Sequence, residues 1–230
     1  MPRELDIIIS KINEGISQLS GEIQKMTVCI ETLEEKEQKT MEAIVENAEE
    51  IGSVEIPTEL SRALTELQEN IRNKFISNSL LVSAYSFLES SLNLLCRYVN
   101  NILKPKKRLP RFRNLSLPTC KKYFKKEIDI DLEQGPYYTE LDTIRKIRNL
   151  IVHNNSNIRT YEGRPVEGQN DYELFNEMKS LDVTRTGYIF ITNMTLIENF
   201  IDQSIEFLEY VKNKISEQIK KDIESKKEPE

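Results

Sequence analysis

One histidine, His153, is all the chain contains among its 230 residues. That count excludes a multi-histidine metal site, and no metal or cofactor is expected. Three cysteines, Cys29, Cys96 and Cys120, are odd in number and far apart. They fit free thiols in a reducing compartment rather than a disulfide framework, so a cytoplasmic location is expected. Seven glycines and eight prolines are few for this length, which argues against a loop-rich all-β protein or a collagen-like chain. No uninterrupted apolar run of about 18 residues occurs, so no transmembrane helix is expected. The opening MPRELDIII lacks the basic and long apolar stretches of a secretory signal. Hydrophobic residues make up 38% of the chain and charged residues 30%. That composition suits one globular domain with an extension, or two small domains.

The net charge of −6 conceals a split along the chain. Residues 1–55 hold 13 acids and 5 bases, whereas 104–126 hold 10 bases and no acid. Those bases are Lys104, Lys106, Lys107, Arg108, Arg111, Arg113, Lys121, Lys122, Lys125 and Lys126. The acidic part repels a polyanion. The basic part offers a track for one, because each cation at a phosphate releases counterions. A solvated basic loop is the plainer reading of the same residues.

Hydrophobic spacing predicts an all-α chain. Leu5, Ile9, Ile12, Ile16, Leu19, Ile23, Met26, Ile30 and Leu33 recur at alternating steps of four and three, the seam of a long helix reaching about Ala48. This acidic, coiled-coil-like arm (1–55) packs on its own chain as a helical hairpin or pairs between two chains. A break at GSVEIPT precedes a second helix, from Pro57 to about Leu103, with Asn78 and Ser79 marking a kink or break. Three prolines in KPKKRLPRFRNLSLP forbid a helix there, and a short helix follows over Thr119–Glu127. Glu127, Asp129, Asp131 and Glu133 alternate like a strand and read as a solvated edge. The segment TELDTIRKIRNLIVH forms a helix with Leu141, Ile144, Ile147 and Ile151 buried, stopped by Asn154, Asn155 and Ser156. At most one short β-hairpin is expected, near 180–192. Asn193 then caps a last helix to about Lys220, so that 56–217 form a helical domain and 218–230 a polar tail. Thr195 and Glu198 have capping-box spacing as an alternative start.

The segment Arg145-Lys146-Ile147-Arg148-Asn149-Leu150-Ile151-Val152-His153 gathers cations, an amide and the only imidazole. Arginine is always charged and presents a fork of donors to a phosphate. Histidine gives or takes a proton near neutral pH. Together they suit phosphodiester cleavage by transesterification, in which a ribose 2′-hydroxyl attacks the adjacent phosphorus, so the substrate is RNA rather than DNA. Positions five apart lie about 140° apart on an ideal helix. Either the helix ends between Arg148 and His153 or they line a cleft from two sides. One histidine per chain also leaves a general acid and a general base to be supplied by two copies.

Arg148-Asn149-Leu150-Ile151-Val152-His153 resembles the HEPN superfamily motif, an Arg and a His four to six residues apart with a polar residue after the Arg. Leu141–Asn149 resembles the helix leading into that motif, and Leu81–Glu89 the core helix before it, which often carries an acidic residue. Gly187–Thr192 before a final helix is similar too, so the likeness covers about residues 75–215. It implies a helical bundle and a metal-independent endoribonuclease that dimerises to build a composite cleft. Such proteins serve toxin–antitoxin, abortive-infection and CRISPR-linked defence, which makes an antitoxin or defence-system protein an expected partner. It also implies that Arg148 and His153 are catalytic, supported by Asn149 and Glu89, with Arg145 joining the RNA-binding cations. Some HEPN toxins carry a modifiable Tyr two residues after the His. Asn155 stands there, so that route of silencing does not carry over. No membrane or DNA partner is expected.

A non-catalytic HEPN-like module that binds RNA or protein is the competing reading. Tyr85, Tyr98, Tyr123 and Phe124 have the chemistry to stack on bases, but their helical spacing favours core packing.

Overall fold

The computed structural model of the chain describes residues 2–50, 76–103, 116–159, 175 and 178–225. Five α-helices and one two-stranded hairpin follow in the order α1 (Pro2–Glu50), α2 (Asn78–Leu103), α3 (Leu117–Tyr123), α4 (Tyr138–Asn154), β1 (Leu181–Val183), β2 (Ile189–Ile191) and α5 (Thr195–Ser225). The chain is an all-α bundle carrying a single short β-hairpin among its described residues.

Helix α2 is the axis of the bundle and packs against α1, α3, α4 and α5. Its buried row is Leu81, Ala84, Tyr85, Leu88, Leu92, Leu95 and Val99, the three-and-four spacing of one helical face. By length and composition, Asn78–Ile102 is also apolar enough to cross a membrane, and half of that window is buried within the fold. The expected kink or break at Asn78 and Ser79 coincides with the start of α2 at Asn78. Its buried side-chain Nδ2 donates to Ser156 Oγ at 3.0 Å, pinning this end of α2 to the segment that ends α4. The expected break at 52–58 and the helix beginning at Pro57 fall outside the described residues as far as position 75, and so does the Pro-rich basic segment 104–115.

The predicted seam of α1 is occupied from within the chain at four positions, whereas Met26 on the same seam is exposed and the side chains of Leu5, Ile30 and Leu33 lie outside the described ones. Ile9, Ile12, Ile16 and Ile23 are buried in the same core as the bundle, against α2 and α5. Each such side chain contributes about 1.5–3 kcal/mol of burial, which holds this half of the arm to its own chain. Gly15 lies on that face because of what it touches. A Cβ there would stand 2.6 Å from Phe87 Cε2.

Helix α3 begins two residues earlier than expected, because Pro118 suits a first helical turn. It passes into a π-helical turn over Phe124–Ile128 and a 3₁₀ turn over Leu132–Gln134. The residues with strand-like alternation therefore form no strand. Asp129 takes a left-handed conformation at the end of the π turn, and Asp131 caps the 3₁₀ turn by accepting from Glu133 N–H.

Antiparallel β1 and β2 pair Leu181 with Ile191 and Val183 with Ile189, all four buried. Gly187 (φ +90) makes the tight connection. At the start of α5, Asn193 Oδ1 accepts from Thr195 N–H at 2.8 Å and from Thr195 Oγ1 at 2.6 Å, so Asn193 is the cap and the Thr195–Glu198 box is not formed. Helix α5 runs to Ser225, five residues beyond the expected end and into the predicted polar tail. From Ile215 onward nothing breaks a helix before Pro229, and Lys, Gln and Glu are good helix formers whatever their solubility.

Candidate functional site

Helix α4 carries the motif. Leu141, Ile144, Ile147 and Leu150 are buried and fix its rotation against α2 and α5. Its C-terminal end is closed by backbone geometry. Asn155 is left-handed (φ 49), and the N–H groups of Asn155 and Ser156 both reach Leu150 O, a glycine-like cap supplied by asparagine. Asn154 Nδ2 donates to the backbone carbonyls of Asn157 and Arg159. Ser156 O then accepts from Ile189 N–H at 2.8 Å. The turn that carries His153 is thus anchored to the β-hairpin on one side and, through Asn78 and Ser156, to α2 on the other.

The helix does not end between Arg148 and His153. It runs through both, so in one copy the two side chains leave the axis about 140° apart. His153 is exposed on the last turn, and its imidazole has no hydrogen bond or ion pair among the described residues. Asn149, four residues before it, lies on the same row of the helix.

Arg148 is turned toward α2. Its Cζ lies 5.9 Å from the Tyr85 ring centroid, within cation–π range. Its Nη1 donates to Asn149 Oδ1 at 3.0 Å, whereas its Nε is buried without a hydrogen-bond partner. The Tyr85 ring is stacked on Phe200 of α5, with centroids 6.0 Å apart and planes at 23°. Its hydroxyl is also buried and unpartnered, and burial, reinforced by the Glu89 charge, pushes the phenol well above its ordinary range.

Glu89, one turn after Tyr85 on α2, completes the group. Burial raises its carboxyl above the ordinary value of 4.5, opposed by the Arg148 charge, a hydrogen bond from the Leu117 backbone and the Arg145 charge. Arg145 is itself committed, its Nε donating to Asp142 Oδ1 at 2.7 Å. The fold therefore assembles Arg148, Asn149, Glu89 and Tyr85, and leaves His153 facing outward beside Asn149.

The basic residues divide into three sets. Lys104, Lys106, Lys107, Arg108, Arg111 and Arg113 lie outside the described residues. Lys121 pairs with Glu133 at 2.7 Å and Lys125 with Asp131 at 2.8 Å, so the supposed solvated edge supplies their counterions. The Lys125 hydrogen bond holds Asp131 below its usual range. Lys122 and Lys126 are exposed and form no ion pair among the described residues. Lys121 also lies 5.7 Å from the ring centroid of Tyr138, ten residues and about 15 Å along α4 from Arg148.

Sequence reasoning assigned Tyr85 to the core, and it is fully buried, as Phe124 is, with Tyr98 and Tyr123 nearly so. Its second contact, with Arg148, was missed. The signal available was Glu89 four residues on, which places ring and carboxyl on one helical face. The three cysteines form no disulfide; Cys29 is exposed and Cys96 and Cys120 are buried. In comparisons with known proteins, no family model matches the chain, and neither a curated protein nor a solved structure matches it.

Proposed function

We propose that the protein is a metal-independent endoribonuclease of the HEPN type, cleaving RNA by 2′-hydroxyl transesterification in a cleft shared by two copies. The observation that carries this reading is the helical phase at the α4 end. One continuous helix holds Arg148 inward beside Asn149 and Glu89 and His153 outward, and the chain has a single histidine. A two-fold pairing of these helix ends places two imidazoles and two guanidinium groups around one phosphate.

In that cleft one His153 takes the proton of the 2′-hydroxyl as its oxygen bonds to phosphorus. The other His153 protonates the 5′ oxygen as the P–O5′ bond breaks. Arg148 stabilises the charge that develops on the phosphoryl oxygens, and Asn149 holds its Nη1. The products are a 2′,3′-cyclic phosphate and a 5′-hydroxyl. The basic residues of 104–126 and Arg145 supply the RNA track. A defence or toxin role, held in check by an antitoxin or trigger, belongs to the same proposal.

The test is incubation of purified protein with total RNA in excess chelator, beside His153→Ala and Arg148→Ala. Cleavage by the wild type alone, leaving cyclic phosphate ends, is the expected result. Equal cleavage by all three proteins overturns the assignment. Absence of cleavage by all three, at concentrations where the protein is paired, replaces it with the non-catalytic RNA- or protein-binding module.

A further inference from the structure

Arg148 meets three neighbouring groups and has one unpartnered atom. Its Nη1 is hydrogen-bonded to Asn149. Its Cζ lies over the Tyr85 ring, 5.9 Å from the centroid. Its Nε is buried without a partner. The Glu89 carboxyl exerts an electrostatic pull on it. A guanidinium that loses water at Nε and gains no hydrogen bond there incurs a desolvation cost, so something else must keep it in place. Asn149 is its neighbour on the same helix and moves with it. Glu89 is disfavoured as an anion by burial. Among the described residues, the surface from another element that meets the guanidinium is the Tyr85 ring, which Phe200 of α5 stacks against.

We infer that Tyr85 is a positioning residue for Arg148, its ring serving as the shelf that holds the guanidinium flat, with Nε turned into the bundle and Nη1 directed to Asn149. The inference rests on the reading of Arg148 as the group that meets the phosphate. It assigns Tyr85 no contact with RNA and no proton to transfer. The ring carries the role rather than the hydroxyl, because the hydroxyl has no partner.

Two readouts on the full chain test this. The first is NMR of the Arg148 Nε–H, identified by its loss in Arg148→Lys, with its solvent-exchange rate measured. The second is RNA cleavage, resolved into kcat and KM. Tyr85→Leu is expected to speed Nε–H exchange and lower kcat, each by about tenfold, the scale of a desolvated cation–π contact, with KM little changed. Tyr85→Phe keeps the aromatic face and is expected to restore slow exchange and kcat. Tyr85→Met replaces the leucine variant if that one does not fold. Unchanged exchange in the leucine or methionine variant overturns the inference, and so does a phenylalanine variant as impaired as they are. If the wild type cleaves no RNA, the catalytic reading of Arg148 fails, while the exchange measurement still decides whether Tyr85 holds the guanidinium.

Discussion

At Glu89 burial and charge pull in opposite directions, and burial prevails. Its carboxyl is raised above 4.5 despite Arg148 and Arg145 nearby. For an acid so raised, the unfolded chain ionises first as pH increases. The native state is therefore at full advantage below the unfolded value and loses stability as pH rises through the folded one. Glu89→Gln removes this titration. It is expected to melt at a higher temperature than wild type at about pH 8, with the difference closing below about pH 4.5. Paired thermal melts across that range check it, and a difference independent of pH contradicts it. The residue scale is where spacing alone said most about identity and least about direction. Arg148, Asn149 and His153 were singled out as a set by their chemistry, and of the three the fold joins Arg148 to Asn149. That Arg148 faces Tyr85 while His153 faces solvent depended on α4 continuing to Asn154, which Asn155 decides by adopting a left-handed cap.

Individual elements were legible where an apolar row has one partner surface. Helix α4 and the hairpin at 181–191 match their expected places. The errors fell where chain polarity was taken for chain irregularity. Helix α5 persists through the lysine-rich stretch to Ser225, and of the carboxylates of 127–133, none is in a strand and Asp131 and Glu133 are counterions of Lys125 and Lys121. The two glycines of α1 show why composition cannot settle such matters. Both count equally against a helix in sequence. In the fold, a Cβ at Gly15 would stand 2.6 Å from Phe87 Cε2, whereas one at Gly21 would meet nothing within 4 Å. Gly21 instead faces an open groove of about 430 Å³ shared with Ser17, Ser20, Gln24 and Ile205. Gly21→Ala is expected to stabilise the protein by about 0.5–1 kcal/mol through helix propensity alone. Gly15→Ala is expected to lose that gain to displacement of the Phe87 ring and to be less stable than Gly21→Ala. Urea unfolding of both variants distinguishes them, and equal midpoints would show that Phe87 yields freely.

At the scale of the whole molecule, the split between an acidic arm and a basic stretch was plain in the sequence, but which cations remain available was not. The chain folds Glu133 and Asp131 back onto Lys121 and Lys125, while Lys122 and Lys126 stay exposed. Each such surface pair adds little to stability, about 0–1 kcal/mol. Its larger effect is on availability, since an ammonium held by a carboxylate must leave it to meet a phosphate. Two double variants, Lys122→Gln with Lys126→Gln and Lys121→Gln with Lys125→Gln, remove the same charge from neighbouring positions. If RNA follows this face, the first pair is expected to flatten the dependence of log affinity on log salt by about 1.4, near 0.7 per phosphate contact on a single strand. The second pair is expected to flatten it by less than half as much. Binding of single-stranded RNA across a salt series, in a His153→Ala background that removes the proposed cleavage, measures both slopes. Equal slopes for the two variants mean that only the net field of the domain matters. Slopes equal to that of the unsubstituted lysines place the RNA track elsewhere, on the segment 104–115 or on Arg145.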